Sequence, residues 1–334
     1  MTKNIPNIVV VGGGTGTYTT LLGLKKYNVH LSAIVSMMDS GGSNRVIRDE
    51  FGLLPTSDIR QCIVALANEQ TSDDDLRRLF MYRYETGTRM SGMTFGNLFM
   101  AALTDVYGSQ EKAIDKTCEI LRVEGDIVPV THDNVQLIAR YDNGKQVLGE
   151  HFIDEPDEET GKHKIVELEV VPRAKANPKA LKAIGDADLI VMGPGDLFTS
   201  VICNLVVDGI SDAICKSNAK KVYVSNLMTK FGQTNDYKVS NHIDEIIKYL
   251  RKGCLDMCLI NKNHEISQNI VKRYEEEHAT IVVNDVKKLY NGVNIVEKDL
   301  ISDEVYSKPK SDVVVRSLIR HDSDKLAKAL VGLL

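Results

Sequence analysis

The sequence predicts an α/β chain: a Rossmann-like, mostly parallel sheet flanked by helices, with a small antiparallel β insertion. Three observations predict it. Residues 5–11 form a mostly apolar run rich in β-branched residues, the pattern of a strand buried on both faces. The glycine-rich turn "GGGTG" follows over residues 12–16, and Tyr18, Leu21, Leu22 and Leu24 then recur near helical spacing. A second buried run, "VHLSAIVSM", occupies residues 29–37 and completes a βαβ unit.

Residues 57–118 read as helices. "DDDLRRLFMYRY" opens with acids, and "GNLFMAALTDVYG" and "SQEKAIDKTCEIL" repeat apolar residues at helical spacing. Between residues 126 and 171 the period drops to two in "VQLIARY", "KQVLGEHFI" and "KIVELEVV". The turn signals "DNGK" and "EETGK" separate these runs, so antiparallel hairpins are expected there. Parallel α/β text resumes with strands in "ADLIVMGPGD", "AKKVYVSNLMT" and "CLDMCLIN", and a closing helix in "HDSDKLAKALVGLL". No repeat or linker divides the chain, so residues 1–334 read as a single domain with a β-rich insertion at about 126–171.

The 41 basic and 46 acidic side chains leave a net charge of -5, which argues against nucleic acid or an anionic membrane as the main partner. No run approaches the roughly 20 apolar residues of a spanning helix, and the N-terminus lacks a signal-peptide pattern. A cytoplasmic protein is the expectation. Cys62, Cys118, Cys203, Cys215, Cys254 and Cys258 form no C-x-x-C pair and are expected to be buried free thiols, not zinc ligands. The eight histidines give no H-x-x-x-H or H-E-x-x-H, and no G-x-S-x-G elbow suggests a serine hydrolase. His242 and His321 stand isolated, and "NKNH" at 261–264 lacks the acid of a GTPase base-reading motif.

In an open parallel sheet, ligands bind beyond the carboxyl ends of the strands. Four loops there carry candidate chemistry. In the first, Gly12, Gly13, Gly14, Thr15 and Gly16 offer bare backbone and a helix N-terminus to a phosphate; the same glycines could serve only a tight strand–helix turn. Thr17 at the sixth place leaves G-x-G-x-x-G incomplete, and no Gly-Lys-Ser/Thr of a P-loop occurs. The second loop, "MMDSGGSNRVIRDEFG", sets Asp39 before Gly41, Gly42 and Ser43, a carboxylate beside hydroxyl and amides that could hold magnesium or a substrate hydroxyl. Asp39 could instead be a helix N-cap, or the ribose-binding acid of an NAD enzyme, although the incomplete fingerprint counts against NAD. Arg45 and Arg48 lie three apart, on one helix face. In the third loop, Arg60 of "LLPTSDIRQCIVAL" falls in the first turn of a helix capped by Ser57 or Asp58, where a cation needs an acid or an anionic ligand. The fourth, "GPGDLFTSVICNL", supplies Gly193, Gly195, Thr199, Ser200 and Asn204, and "SNLMTKFGQT" follows the next strand similarly with Asn226 and Thr229.

These motifs, with "MSGMTFGNLFMAAL" around Asn97 and "RHDSDKLA" at the C-terminal end, resemble the CofD/YvcK-like family nearly end to end. That family comprises bacterial gluconeogenesis factors and their relatives, the 2-phospho-L-lactate transferases. The resemblance implies a single Rossmann-like domain, often a homodimer. The pattern is closer to the YvcK-like branch, which implies a regulatory protein that binds nucleotide sugars such as UDP-N-acetylglucosamine. That branch is associated with cell-shape and cell-wall control during gluconeogenic growth. The transferase branch implies instead an enzyme that moves a phosphoester group from a nucleoside-diphosphate carrier with magnesium, with Asp39 as its catalytic residue. Tyr274 and Arg320 match positions tied to UDP-sugar binding, and a guanidinium can grip a diphosphate through two parallel hydrogen bonds. The chain departs from the family pattern at Ser40, where many relatives carry a second acid, and at Met93, Asp196, Phe198 and Cys203. "MTKFGQT" also replaces a pattern closer to "MTQPGET".

Overall fold

Buried β-branched runs can bury both faces only inside a sheet covered on both sides, and the chain supplies such a sheet. The computed structural model describes residues 5–68, 74–86, 90–262, 268–302 and 318–334. The strands are β1 (Asn7–Gly12), β2 (His30–Val35), β3 (Asp126–Pro129), β4 (Gln136–Tyr141), β5 (Gln146–Leu148), β6 (Ile165–Val171), β7 (Leu189–Met192), β8 (Lys220–Val224), β9 (Met257–Asn261), β10 (Leu289–Tyr290) and β11 (Val293–Lys298). The helices of the first half are α1 (Gly14–Leu24), α2 (Gly42–Phe51), α3 (Ser57–Leu66), α4 (Asp74–Met81), α5 (Phe95–Tyr107), α6 (Gln110–Ile120) and α7 (Glu150–Asp154). The second half adds α8 (Pro178–Gly185), α9 (Cys203–Leu205), α10 (Ile210–Lys216), α11 (Val239–Leu250), α12 (Gln268–Glu276) and α13 (Ser323–Val331).

Eight strands form the main sheet in the order β10-β11-β9-β8-β7-β1-β2-β3. Every pairing in it is parallel except β10 with β11. The chain runs outward from β1 through β2 to β3, then returns to lay β7, β8 and β9 on the other side. The reversal falls between β1 and β7, and a crevice opens at the carboxyl ends of strands at such a point. Side chains alternate along β1, as a period of two requires. Ile8 and Val10 enter one core with Leu21 and Leu24 of α1, Ile59 of α3, and Leu326, Ala327 and Leu330 of α13. Val9 and Val11 enter the other, with the three-stranded sheet β5-β4-β6 and Ile243 and Ile246 of α11. Burying each such aliphatic side chain contributes about 1.5–3 kcal/mol. Asp322 caps α13 by accepting from the backbone N–H groups of Asp324 and Lys325.

Three expectations are corrected. Residues 126–129 pair in parallel with β2 and belong to the main sheet, so the antiparallel insertion is shorter than 126–171. The period-two run "KQVLGEHFI" stops at Leu148; Gly149 turns the chain, and Glu150–Asp154 is helical with only Ile153 buried. Cys215 and Cys254 are disulfide-bonded, tying the end of α10 to the turn before β9; Cys62, Cys118, Cys203 and Cys258 are free thiols. A β10–β11 hairpin, turned at Asn291-Gly292, adds two strands beyond those the sequence predicts. Of "NKNH", residues 263 and 264 lie outside the described residues. Among the described residues, no helix is long and apolar enough to cross a membrane.

Candidate functional site

A cavity of about 800 Å³ lies at the carboxyl ends of the strands around the reversal. One wall is glycine turn. α1 begins directly after β1, its N-cap Gly13 offers no side-chain cap, and its first turn holds no acid. Gly13, Gly14, Thr15 and Gly16 line the cavity, where first-turn amides lack helical partners. A Cβ on Gly16 would lie 2.1 Å from the carbonyl oxygen of Pro194, and one on Gly13 would lie 2.3 Å from Asp58 Oδ2. At both positions the bare backbone therefore makes room for the protein's own atoms.

The start of α2 adds a polar floor. Asp39 accepts from the Gly41 amide at 2.8 Å and from Asn44 Nδ2 at 2.5 Å. Burial pushes its carboxyl above the ordinary value, and these hydrogen bonds oppose the shift. Ser57 Oγ donates to Asn44 Oδ1 at 2.8 Å. Asn97 Nδ2 donates to Ser57 Oγ at 3.0 Å and Ser43 Oγ at 3.2 Å, and Asn97 Oδ1 accepts from Arg60 Nε at 3.1 Å. Asp58 sits between this floor and the glycine turn. Burial, then the charge of Asp39, raises its carboxyl to about 7, against the Gly14 amide and Arg60.

A second wall is acidic. The single turn of α7 presents Glu150 and Asp154, four residues apart and so on one face. Glu150 accepts from the Ser40 amide at 3.2 Å, and Ser40 Oγ accepts from the His151 amide at 3.0 Å. Ser40 thus ties the second glycine loop to α7. Burial, Asp39 and Asp154 hold the Glu150 carboxyl well above its usual range. Asp154 accepts from Lys230 Nζ at 2.5 Å, Thr199 Oγ1 at 2.9 Å and Gln233 Nε2 at 2.9 Å. Burial alone would raise it, but Lys230 and these donors outweigh burial and lower it. Lys230 also donates to Asp196 Oδ2 at 2.8 Å. The pair of acids holds the Lys230 ammonium above its usual range despite burial.

The outer rim comes from the β8 loop and the chain before α13. Asn226 Nδ2 donates to the Gly195 carbonyl at 2.7 Å, and Thr229 Oγ1 accepts from the Thr280 amide at 2.8 Å. Tyr274 hydroxyl accepts from the amides of Leu318 at 2.8 Å and Ile319 at 3.0 Å, fixing the backbone just before Arg320. Beside Arg320, burial lowers the His321 imidazole to about 4, so that ring is neutral at pH 7.

Most of the sequence-predicted residues meet here. Asp39, Gly41, Gly42, Ser43, Arg60, Gly195, Thr199, Ser200, Asn226, Thr229, Tyr274 and Arg320 line the cavity beside the α1 turn. Five do not line it. Gly12 and Gly193 lie beneath, where the Gly193 amide donates to the Val11 carbonyl at 3.0 Å. Asn97 is fully buried behind Ser43 and Arg60. Asn204 is also buried, and its Nδ2 donates to the Ser200 carbonyl at 2.9 Å. Arg48 reaches away to Asn134 Oδ1 at 3.2 Å. Sequence reasoning missed Glu150, Asp154 and Lys230. Glu150 and Asp154 stand four apart in "GEHFID", a helical signal hidden by the strand reading of that run.

Among the described residues, no group of three or more His, Cys, Asp or Glu is arranged to hold a metal ion. Both Asp39 oxygens already accept hydrogen bonds. The donor set therefore fits magnesium only as a companion of a ligand's phosphates, which needs one or two carboxylates.

A family profile described as "2-phospho-L-lactate transferase CofD" matches residues 8–301. The chain is 40% identical over 333 residues to a Thermoanaerobacterium thermosulfurigenes protein named "Putative gluconeogenesis factor", covering 99% of this chain and 98% of that one. It is 34% identical to the Bacillus subtilis "Gluconeogenesis factor", covering 98% of each. A crystal structure of a Bacillus halodurans protein, described as a member of the UPF0052 family, superposes with a TM-score of 0.88 at 33% identity, covering 98% of this chain and 99% of that one.

Proposed function

The chain belongs to the CofD family, and from that premise we propose that it is a nucleotide-sugar-binding regulatory protein. Its ligand is a UDP-N-acetylglucosamine-like molecule, and its role is cell-shape and cell-wall control during gluconeogenic growth, as a homodimer in the cytoplasm. The observation that carries this reading is that two unlike sets of groups line one cavity. First-turn amides of α1 suit a diphosphate, and the carboxyl groups of α7 suit sugar hydroxyls. Arg320, on the rim, supplies a guanidinium for the diphosphate. Isothermal titration with UDP-N-acetylglucosamine tests it, with NADH in parallel. The expected outcome is saturable binding without turnover, weakened about tenfold or more in Arg320→Ala. Equal affinity in the variant would remove Arg320 from the ligand.

A second reading is supported by Asp39, Asp58 and Glu150, half-buried carboxyl groups raised above their ordinary values as proton-transfer groups often are. In that reading the protein transfers a phosphoester group from a nucleoside-diphosphate carrier, and magnesium bound with the ligand offsets phosphate charge. Asp39 would lie nearest the reacting group. Incubation with a guanosine diphosphate–phospholactate donor, a deazaflavin acceptor and magnesium would release GMP; no release ends this reading.

A further inference from the structure

We propose that Asp58 is a specificity-determining residue that admits a diphosphate esterified at both ends and disfavours a nucleotide ending in a free phosphate. The inference rests on the diphosphate reading of the cavity and adds which diphosphates enter it. Its basis is the position of one carboxylate. Asp58 reaches the glycine turn from α3, more than 40 residues along the chain, and fills the space a Gly13 side chain would need. The neighbouring Gly14 amide favours its charged form, at a helix N-terminus that carries no acid of its own. The anion cradle therefore already contains a carboxyl group that is negative above about pH 7, and that group lines the cavity. The charged groups acting on it are Asp39 and Asp154, which add to its repulsion of an anion, and Arg60, which opposes it. Arg60 is itself drawn toward Asn97 and the Phe80 carbonyl.

A carboxylate so placed repels a ligand according to the charge brought near it. In a sugar nucleotide each phosphorus carries one ionised oxygen. A terminal phosphate has a second ionisation near pH 6 and is doubly charged above it. The extra charge falls on the end of the diphosphate, so UDP meets more repulsion than a UDP-sugar despite its smaller size. A cradle of amides alone would favour the more highly charged ligand.

The test is calorimetric titration at pH 8 in the presence of a chelator, using wild type and Asp58→Asn. Two ligand pairs are compared, UDP-N-acetylglucosamine with UDP and GDP-mannose with GDP, so that the choice of base is not at stake. Wild type should prefer the capped member of whichever pair binds. Asp58→Asn should narrow that preference about tenfold, the effect of one unit charge held close in a partly dry site, by gaining affinity for the uncapped member. Asp58→Ser, with the charge removed in a smaller side chain, should narrow it equally, and thermal melts report whether either variant is folded. An unchanged ratio in both folded variants, or an equal loss of affinity for both members, would overturn the inference and leave the diphosphate reading standing. Failure of all four ligands to bind wild type would overturn that reading, and this inference with it.

Discussion

The two walls of the cavity are built by opposite means. The glycine wall is backbone: the turn after β1 and the turn after β7 are so close that Gly16 accepts no side chain against Pro194. The acidic wall is charge: α7, the start of the Leu197–Ile202 segment and the β8 loop meet through Lys230, Asp154, Asp196 and Thr199. A backbone contact tolerates no substitution and ignores pH. An ion cluster tolerates replacement if its charges still balance, and it responds to pH. One cavity can thus hold a fixed grip on one part of a ligand and an adjustable one on another.

The largest effect should come from breaking the glycine wall. Gly16→Ala sets a methyl against a backbone carbonyl that cannot rotate away, so a loss of about 3 kcal/mol is expected in urea unfolding. A loss within about 0.5 kcal/mol would mean that the wall is not locked by backbone. Lys230→Met should cost less, about 1–2 kcal/mol at pH 7. It strands two carboxylates, but the side chains of Lys230, Asp154 and Asp196 are 31%, 23% and 38% exposed. Lowering the pH to 5 should restore part of that loss as the stranded acids take up protons. No recovery would detach the acidic wall from its charges.

The junction of the walls should show a smaller, opposite pH response. Asp58 rises from 3.8 to about 7 on folding, so the folded chain binds more protons than the unfolded chain between those values. Stability from this group is greatest at low pH and falls as pH rises through 7. The melting temperature of wild type should therefore gain on that of Asp58→Asn as the pH drops from 8 to 6; parallel curves would place Asp58 in an ordinary environment. The smallest effect belongs to the rim. Tyr274→Phe removes the acceptor of two amides, at about 1 kcal/mol, and should speed hydrogen exchange at Leu318 and Ile319 without moving exchange in β1. Unchanged exchange at both amides would show that the hydroxyl does not hold them.

The same contrast explains what was legible in the sequence. Strands buried on both faces are written as β-branched runs, so β1, β2, β7, β8 and β9 could be read, and the loops after them carried glycines that mark the glycine wall. The family motifs added Tyr274 and Arg320. The acidic wall left no such trace. Glu150 and Asp154 lie in an insertion where apolar alternation looked like strand, and a five-residue helix is too short to impose a period of its own. Lys230 became meaningful only beside Asp154 and Asp196, which lie 76 and 34 positions away. Asn97 was placed in the cavity because its hydrogen bonds to Arg60 and Ser43 are tertiary facts with no local signature; Asn204 turns back to the Ser200 carbonyl four residues earlier, a choice of partner that residue type alone does not reveal.

The packing of α1 against α13 also sets an order of events at the ribosome. Leu21 and Leu24, on the helix that opens the glycine wall, share their core with Leu326, Ala327 and Leu330. At about 5–20 residues per second, synthesis of the roughly 300 residues between them takes on the order of 15–60 s. Through that interval the nascent α1 lacks its α13 partner, although Ile59 of α3 is already available to it. The first-made part of the candidate site is thus among the last to be sealed.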